Sequence, residues 1–148
     1  MKPDVQRFIE VTAMYLIGQL APTLGAKYDQ SNVMTLGALL AVLGEEFERA
    51  SARRVEENRA LRQLFSQAVP VVRDDALRTK LEEAAAGEDG SLLVSHLERE
   101  NSRLRALLIA LHDHVEQQAT PEAKRIESAI WEELVRSTER RRLMMAPF

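Results

Sequence analysis

There is no cysteine in these 148 residues, which excludes disulfides, thiolate nucleophiles and cysteine-ligated zinc and suits a reducing compartment. Aromatic side chains make up only 5% of the chain, with a single Trp. An excess of one charge is also missing: 20 basic residues stand against 23 acidic ones, for a net charge of −3. That balance gives no pull toward nucleic acid or anionic lipid. The longest apolar run, VMTLGALLAVLG at 33–44, falls short of the roughly 20 residues a membrane-spanning helix needs, so it reads as a buried helix. The opening MKPDVQRF places Asp4 and Arg7 where a secretory signal would have its apolar core, so the expected location is the cytoplasm.

What is present is 45% apolar and 29% charged residues, rich in Ala, Leu, Glu and Arg, a composition of long helices rather than strands. The expectation is one all-α domain over residues 1–148, a bundle of four main helices and one short one. The first helix opens near Pro3 and Asp4 and bends or stops at Pro22. The second, capped by Ser31 or Asn32, meets no breaker before Pro70 and spans about 31–69. Its first half, apolar almost all round and carrying Gly37, Ala41 and Gly44 as a small-residue stripe, is expected to be central. Its second half keeps a narrow apolar line through Phe47, Ala50, Leu61 and Phe65 and is expected to be largely solvated. A short helix follows at about 74–86. A fourth runs from Ser91 to about Gln118 with Leu93, Leu97, Leu104, Leu108, Leu111 and Val115 on one stripe. A fifth, capped by Thr120 with Pro121 in its first turn, carries Ile126, Ile130, Trp131, Leu134 and Val135 toward the core. Residues 139–148 form a basic, then apolar tail, docked or loose.

One pattern occurs twice. RVEENRALRQLF at 54–65 and LERENSRLRALL at 97–108 share the frame Glu-Asn-x-x-Leu-Arg. At helical spacing Asn58, Leu61 and Phe65 fall on one face, with Arg62 beside them; Asn101, Leu104 and Leu108, with Arg105, do the same. An Asn on an apolar seam selects register or oligomer state at some cost in stability, which makes these eight residues interface candidates. If the two helices run antiparallel the amides meet; if parallel, they are expected to sit far apart. The alternative is a chance echo with both amides at the solvent edge. On the register reading, Asn58→Leu raises thermal stability and mixes oligomer states.

Catalytic patterns are sparse. A di-iron bundle needs two Glu-x-x-His pairs, and the residues three before His96, His112 and His114 are Leu93, Ile109 and Leu111. His96 and His112 point about 160° apart on one helix, so no metal site within one chain is expected. There is no Gly-x-Ser-x-Gly turn and no phosphate-cradling glycine loop. Glu45-Glu46, Glu82-Glu83 and Glu132-Glu133 are sequence neighbours splayed about 100° apart and read as solvated faces. Glu10, among apolar neighbours, is either partly buried or on a solvent-facing strip. Arg140, Arg141 and Arg142 suit a helix C-terminus.

The segment FIEVTAMYLIGQLAPTLGAKYDQSNVMTLGALLAVLGEEFE at 8–48 resembles a family of small bacterial helical proteins with no assigned activity. Genes of that family tend to lie beside acyl-CoA dehydrogenases and aminoglycoside-phosphotransferase-like kinases. The resemblance implies an accessory role near acyl-CoA metabolism and carries over no site residue.

The expected function is that of a non-catalytic interaction or accessory protein without cofactor, working as a homodimer or on another protein through the second half of the long helix and the fourth helix. The rival is an enzyme or small-molecule binder with a pocket inside the bundle, such as one for an acyl chain, lined by Met14, Tyr15, Met34 and Trp131; a metal-dependent enzyme is a further alternative.

Overall fold

The computed structural model describes residues 4–143, over which the protein is all-α, with five α-helices and no strand. Asp4 starts α1 (Val5–Tyr15): its Oδ1 accepts from the Arg7 N–H at 3.0 Å, as an N-cap carboxylate does. Pro3 lies outside the described residues. The chain then widens into a π turn over Leu16–Leu20 and tightens into a 3-10 turn over Ala21–Thr23. Pro22, with no N–H to offer the Gly18 carbonyl, therefore breaks the helix by loosening it one turn upstream.

The long helix α2 (Lys27–Ala68) begins ahead of the expected Ser31 or Asn32 cap. The Gln30 N–H already bonds the Ala26 carbonyl at 3.0 Å and Asp29 puts an acid in the first turn, so no cap is needed further on. It stops just before Pro70, whose ring disfavours helical geometry at Val69, although the Val69 N–H still bonds the Phe65 carbonyl at 3.0 Å. Helix α3 (Asp75–Ala86) is capped by Asp74, which accepts from the Leu77 N–H at 2.6 Å. Helix α4 (Val94–Glu116) follows a strap at 87–93 that Ser91 shapes by accepting from the Leu93 N–H at 3.2 Å. Helix α5 (Pro121–Arg141) has the expected Thr120 cap, 3.2 Å from the Ala123 N–H. The tail expected from 139 thus begins inside α5, and residues 144–148 lie outside the described residues.

The chain forms two compact units, residues 4–50 with 142–143 and residues 51–141. In the first, α1 and the first half of α2 make an antiparallel hairpin. Its contact line is built from small groups: a Cβ at Gly37 would lie 3.1 Å from the Ala13 carbonyl and closer still to Ile17, and one at Gly44 would lie 3.1 Å from Ile9. The expected small-residue stripe thus seats a helix.

In the second unit, residues 51–68 of α2 run parallel to α4, since their partners advance together: Ser51 with Leu92, Arg54 with Glu98, Asn58 with Asn101. Helix α5 runs back along α4, pairing Asn101 with Arg141, Arg105 with Ser137 and His112 with Trp131. Helix α3 also runs against α4, so the four segments alternate up and down. Leu61, Phe65, Leu81, Leu104, Leu111 and Ile130 are at the centre of their core.

Two burial expectations are reversed. The apolar first half of α2 exposes Leu36, Leu39 and Leu43, because one helix can cover only one side of another. The charge-rich second half is the buried one, holding Leu61, Leu64, Phe65 and Ala68, because three helices surround it. Trp131 and Val135 also face out, 54% and 63% exposed. The inward face of α5 runs through Ile126, Ile130, Glu133 and Ser137; Trp131 is turned about 130° from it and Val135 about 170°.

Gly37 and Gly18 make a contrasting pair, because nothing lies within 4 Å of a Cβ at Gly18. Gly37→Leu is expected to force the hairpin apart and cost about 1–3 kcal/mol, as overpacking does. Gly18→Ala should be neutral or stabilising by about 0.5–1 kcal/mol. Thermal melts of the two variants check this; equal shifts would refute the close approach.

Candidate functional site

Within the second unit the repeated motif meets itself. Asn101 Nδ2 donates to Asn58 Oδ1 at 3.0 Å, both residues being buried. Parallel helices were expected to separate these amides. They do not, because α3 and the strap carry the chain back until α4 starts level with Ser51, and the 43-residue spacing of the echo becomes the register of the pair. In coiled-coil terms the asparagines occupy facing a positions and Leu61 and Leu104 the following d positions. The flanking charges cross over. Glu57 lies 3.9 Å from Arg105, and Glu100 lies 2.9 Å from Arg62, the g-to-e pairing of a parallel two-stranded coil. Phe65 and Leu108 continue the seam into the core.

All eight residues are therefore drawn together inside one chain. Asn58, Leu61, Arg62, Phe65, Asn101, Leu104 and Leu108 are buried there and Arg105 is partly so. They cannot form the outward stripe expected of this pair of helices. What they select is the register of α2 against α4.

A network grows from the seam. Arg141 grips Glu57 with two hydrogen bonds, Nε to Oε1 at 2.7 Å and Nη2 to Oε2 at 2.6 Å. Asn101 and Ser137 donate to the same carboxylate at 3.2 and 3.3 Å. On the other side, Asp89 of the strap accepts from Asn58 and Arg62, both at 2.9 Å. Burial by itself pushes the Glu57 carboxyl up, but the Arg141 fork, the Ser137 hydroxyl and Arg105 outweigh it and leave it below its ordinary value. Glu100 is lowered chiefly by the hydrogen bond from Arg103, against burial, with Arg62 adding to it. Glu133 goes the other way. Burial raises it, Arg140 and, more weakly, Arg136 do not fully compensate, and the nearby Glu57 charge adds to the rise. Sequence reasoning took Glu133 for a solvated residue; its place one turn from Ile130 and Ser137 on α5 was the available signal.

The remaining candidates are dispersed. Met14, Tyr15 and Met34 are exposed on the hairpin, and Trp131 stands edge-on to His112, with ring centres 5.3 Å apart. The void among Leu61, Leu108 and Leu134 in the four-helix core is ≈ 10 Å³, room for one water at most and none for an acyl chain. Larger clefts in this unit are open and charged, such as one lined by Asp74, Lys80, Glu83 and Arg103. His114 Nε2 accepts from the Arg73 N–H at 3.3 Å. Glu10 is exposed and hydrogen-bonded to Gln6 at 2.8 Å. Among the described residues no group of three His, Asp or Glu side chains is placed to hold a metal ion, and no helix is long and apolar enough to cross a membrane.

The feature sequence reading missed lies on the hairpin. Its buried residues are small: Ala13, Ala21, Gly37, Gly44 and Ala50. Most of the large apolar side chains point outward instead, with Phe8 72% and Leu43 56% exposed, while others such as Ile9, Leu16, Val33 and Leu40 are half-buried. The outward ones form two stripes at i, i+3, i+7 spacing: Phe8, Val11 and Tyr15 on α1, and Leu36, Leu39, Leu43, continuing to Phe47, on α2. Counted at about 100° per residue from the line where Gly37 and Gly44 meet Ala13 and Ile9, both stripes turn to the same side of the antiparallel hairpin. Residues 11–26 and 30–44 carry no charged side chain.

No family model, curated protein or solved structure matches the chain.

The two buried glutamates should respond oppositely to neutralisation. Glu57→Gln leaves the Arg141 guanidinium facing a neutral amide and is expected to cost about 3 kcal/mol at pH 7, as a broken buried pair does. Because the folded Glu57 carboxyl is lowered, its contribution is present above the ordinary carboxylate range and lost as the pH falls through the folded value, so the gap to wild type closes in acid. Glu133, being raised, contributes below that range and loses the contribution as the pH rises, so Glu133→Gln should be neutral or stabilising at pH 7. Urea unfolding at pH 7 and pH 4 checks both signs. Asn58→Leu, expected on sequence grounds to stabilise, should instead cost about 1–3 kcal/mol, because it strips a partner from buried Asn101 and from Asp89; a raised melting temperature would contradict this.

Proposed function

We propose that the protein is a non-catalytic helical interaction module whose working surface is the apolar side of the α1–α2 hairpin. The observation that carries the reading is the inversion of burial there: small residues inside, most large apolar ones outside. A two-helix hairpin with so little core is marginal alone in water, and contiguous exposed apolar faces of this kind mark interaction sites. The partner is another protein chain or a second copy in a homodimer. A cytoplasmic accessory role of the sort the family resemblance implies, beside enzymes of acyl-CoA metabolism, asks for nothing beyond such a surface. The buried polar residues of the four-helix unit are spent on its internal register.

Charging the face should abolish association. Leu39→Glu combined with Leu43→Glu in the full-length protein removes two apolar anchors of about 1.5–3 kcal/mol each and should weaken binding at least a hundredfold. Native mass spectra of protein gently purified from its own cells should show species heavier than the 16.7 kDa chain for wild type and the bare chain for the variant. A bare chain in both would overturn the reading.

A further inference from the structure

Resting on that reading, we infer that the occupant of the hairpin face is a second copy of this chain, with the two α2 stripes packed antiparallel across a two-fold axis. Four observations converge on it. First, the stripe Leu36, Leu39, Leu43 and Phe47 has the i, i+3, i+7, i+11 spacing of knobs that fit between the residues of another helix with the same pattern. In the other unit, the exposed large apolar residues, such as Ile109, Trp131 and Val135, are not arranged in an uncharged stripe of this length. The surface that best matches the stripe is the stripe itself.

Second, a two-fold contact sets each residue group near its own copy, so a charged patch repels itself unless both signs alternate in the right register. The uncharged stretches at 11–26 and 30–44 escape that penalty, and they offer no formal charge by which to select a different partner. Third, the area suffices. Together with Val5, the seven large apolar side chains of the two stripes, 50–72% exposed, present on the order of 800 Å², about what each partner gives to a stable interface. Two such hairpins complete a four-helix layer, in which the large residues become the core that one hairpin lacks.

Fourth, charge at the ends of the stripe sets its direction. Glu45, Glu46 and Glu48 cluster at the C-terminal end of the apolar stretch. Parallel pairing would bring two sets of these acids together. Antiparallel pairing separates the two sets and lays each beside the uncharged stretch 30–44 of the partner's α2. Val5, Phe8 and Tyr15 flank the contact on the same side.

The chain has no cysteine of its own, so cross-linking reads the geometry directly. Leu36→Cys and Phe47→Cys lie at opposite ends of the stripe, about 16 Å apart along the helix, and a disulfide needs Cα atoms within about 7 Å. Antiparallel pairing predicts that neither variant alone forms a disulfide-linked dimer under mild oxidation and that an equimolar mixture does. Light scattering of the wild type should give twice 16.7 kDa, and the Leu39→Glu, Leu43→Glu variant should give the single chain while circular dichroism still reports a helical protein. Self-linking of Leu36→Cys or Phe47→Cys alone would overturn the antiparallel arrangement. A wild type that is monomeric by itself, yet co-purifies with a different protein lost in the charged variant, would overturn the second copy and leave the interaction reading standing. A wild type that is monomeric and alone would overturn both.

Discussion

Everything in the four-helix unit is referred to one contact, the amide pair of Asn58 and Asn101 with the crossed charges beside it. A parallel pair of leucine-lined helices can slide by a heptad with little apolar penalty; an asparagine cannot, since a slipped amide faces leucine and loses its hydrogen bonds. Here Asn101 bonds at once to Asn58 and Glu57 and accepts from Arg141, so a slip of α4 would also release a buried carboxylate and the end of α5. The strap enters the same set of bonds through Asp89. Register, return loop and last helix are thus specified by one group of polar contacts rather than by separate devices.

The cost of this arrangement is visible in the acids. Glu57 is only 2% exposed, yet it is met by enough donors to remain charged in spite of its burial. Glu133, nearly as buried, has fewer, and its carboxyl is raised. The contrast is one of partner number, not of depth, which follows from the rule that a buried charge is tolerable only when its lone pairs are filled.

The helices themselves were readable from the chain: Asp4, Thr120, Pro70 and Pro121 each do locally what their chemistry dictates, and α5 begins where its cap and proline place it. The repeat at 54–65 and 97–108 was readable too, as was its fitness for a seam. What was not readable was burial. A residue such as Leu43 carries no mark of whether another helix will cover it, and Arg62 or Glu57, polar by composition, is buried by three neighbouring helices. Periodicity shows which residues share a face; which face is covered depends on chain direction, and that was decided by α3 and a strap whose return path no local signal fixes. The π turn before Pro22 is likewise a compromise made by a whole helix, legible only as a break.

Parallel pairing has a consequence for how the chain is made. An antiparallel seam can close as soon as a short turn is complete, but Asn58 waits for a partner 43 residues later in the sequence. At a synthesis rate of about 5–20 residues per second, the first motif stands in water for several seconds before the second leaves the ribosome. During that interval Leu61 and Phe65 have no seam to enter. It is then an advantage that their neighbours are Glu57 and Arg62, since the same charges that later lock the register keep the waiting helix from joining another nascent chain.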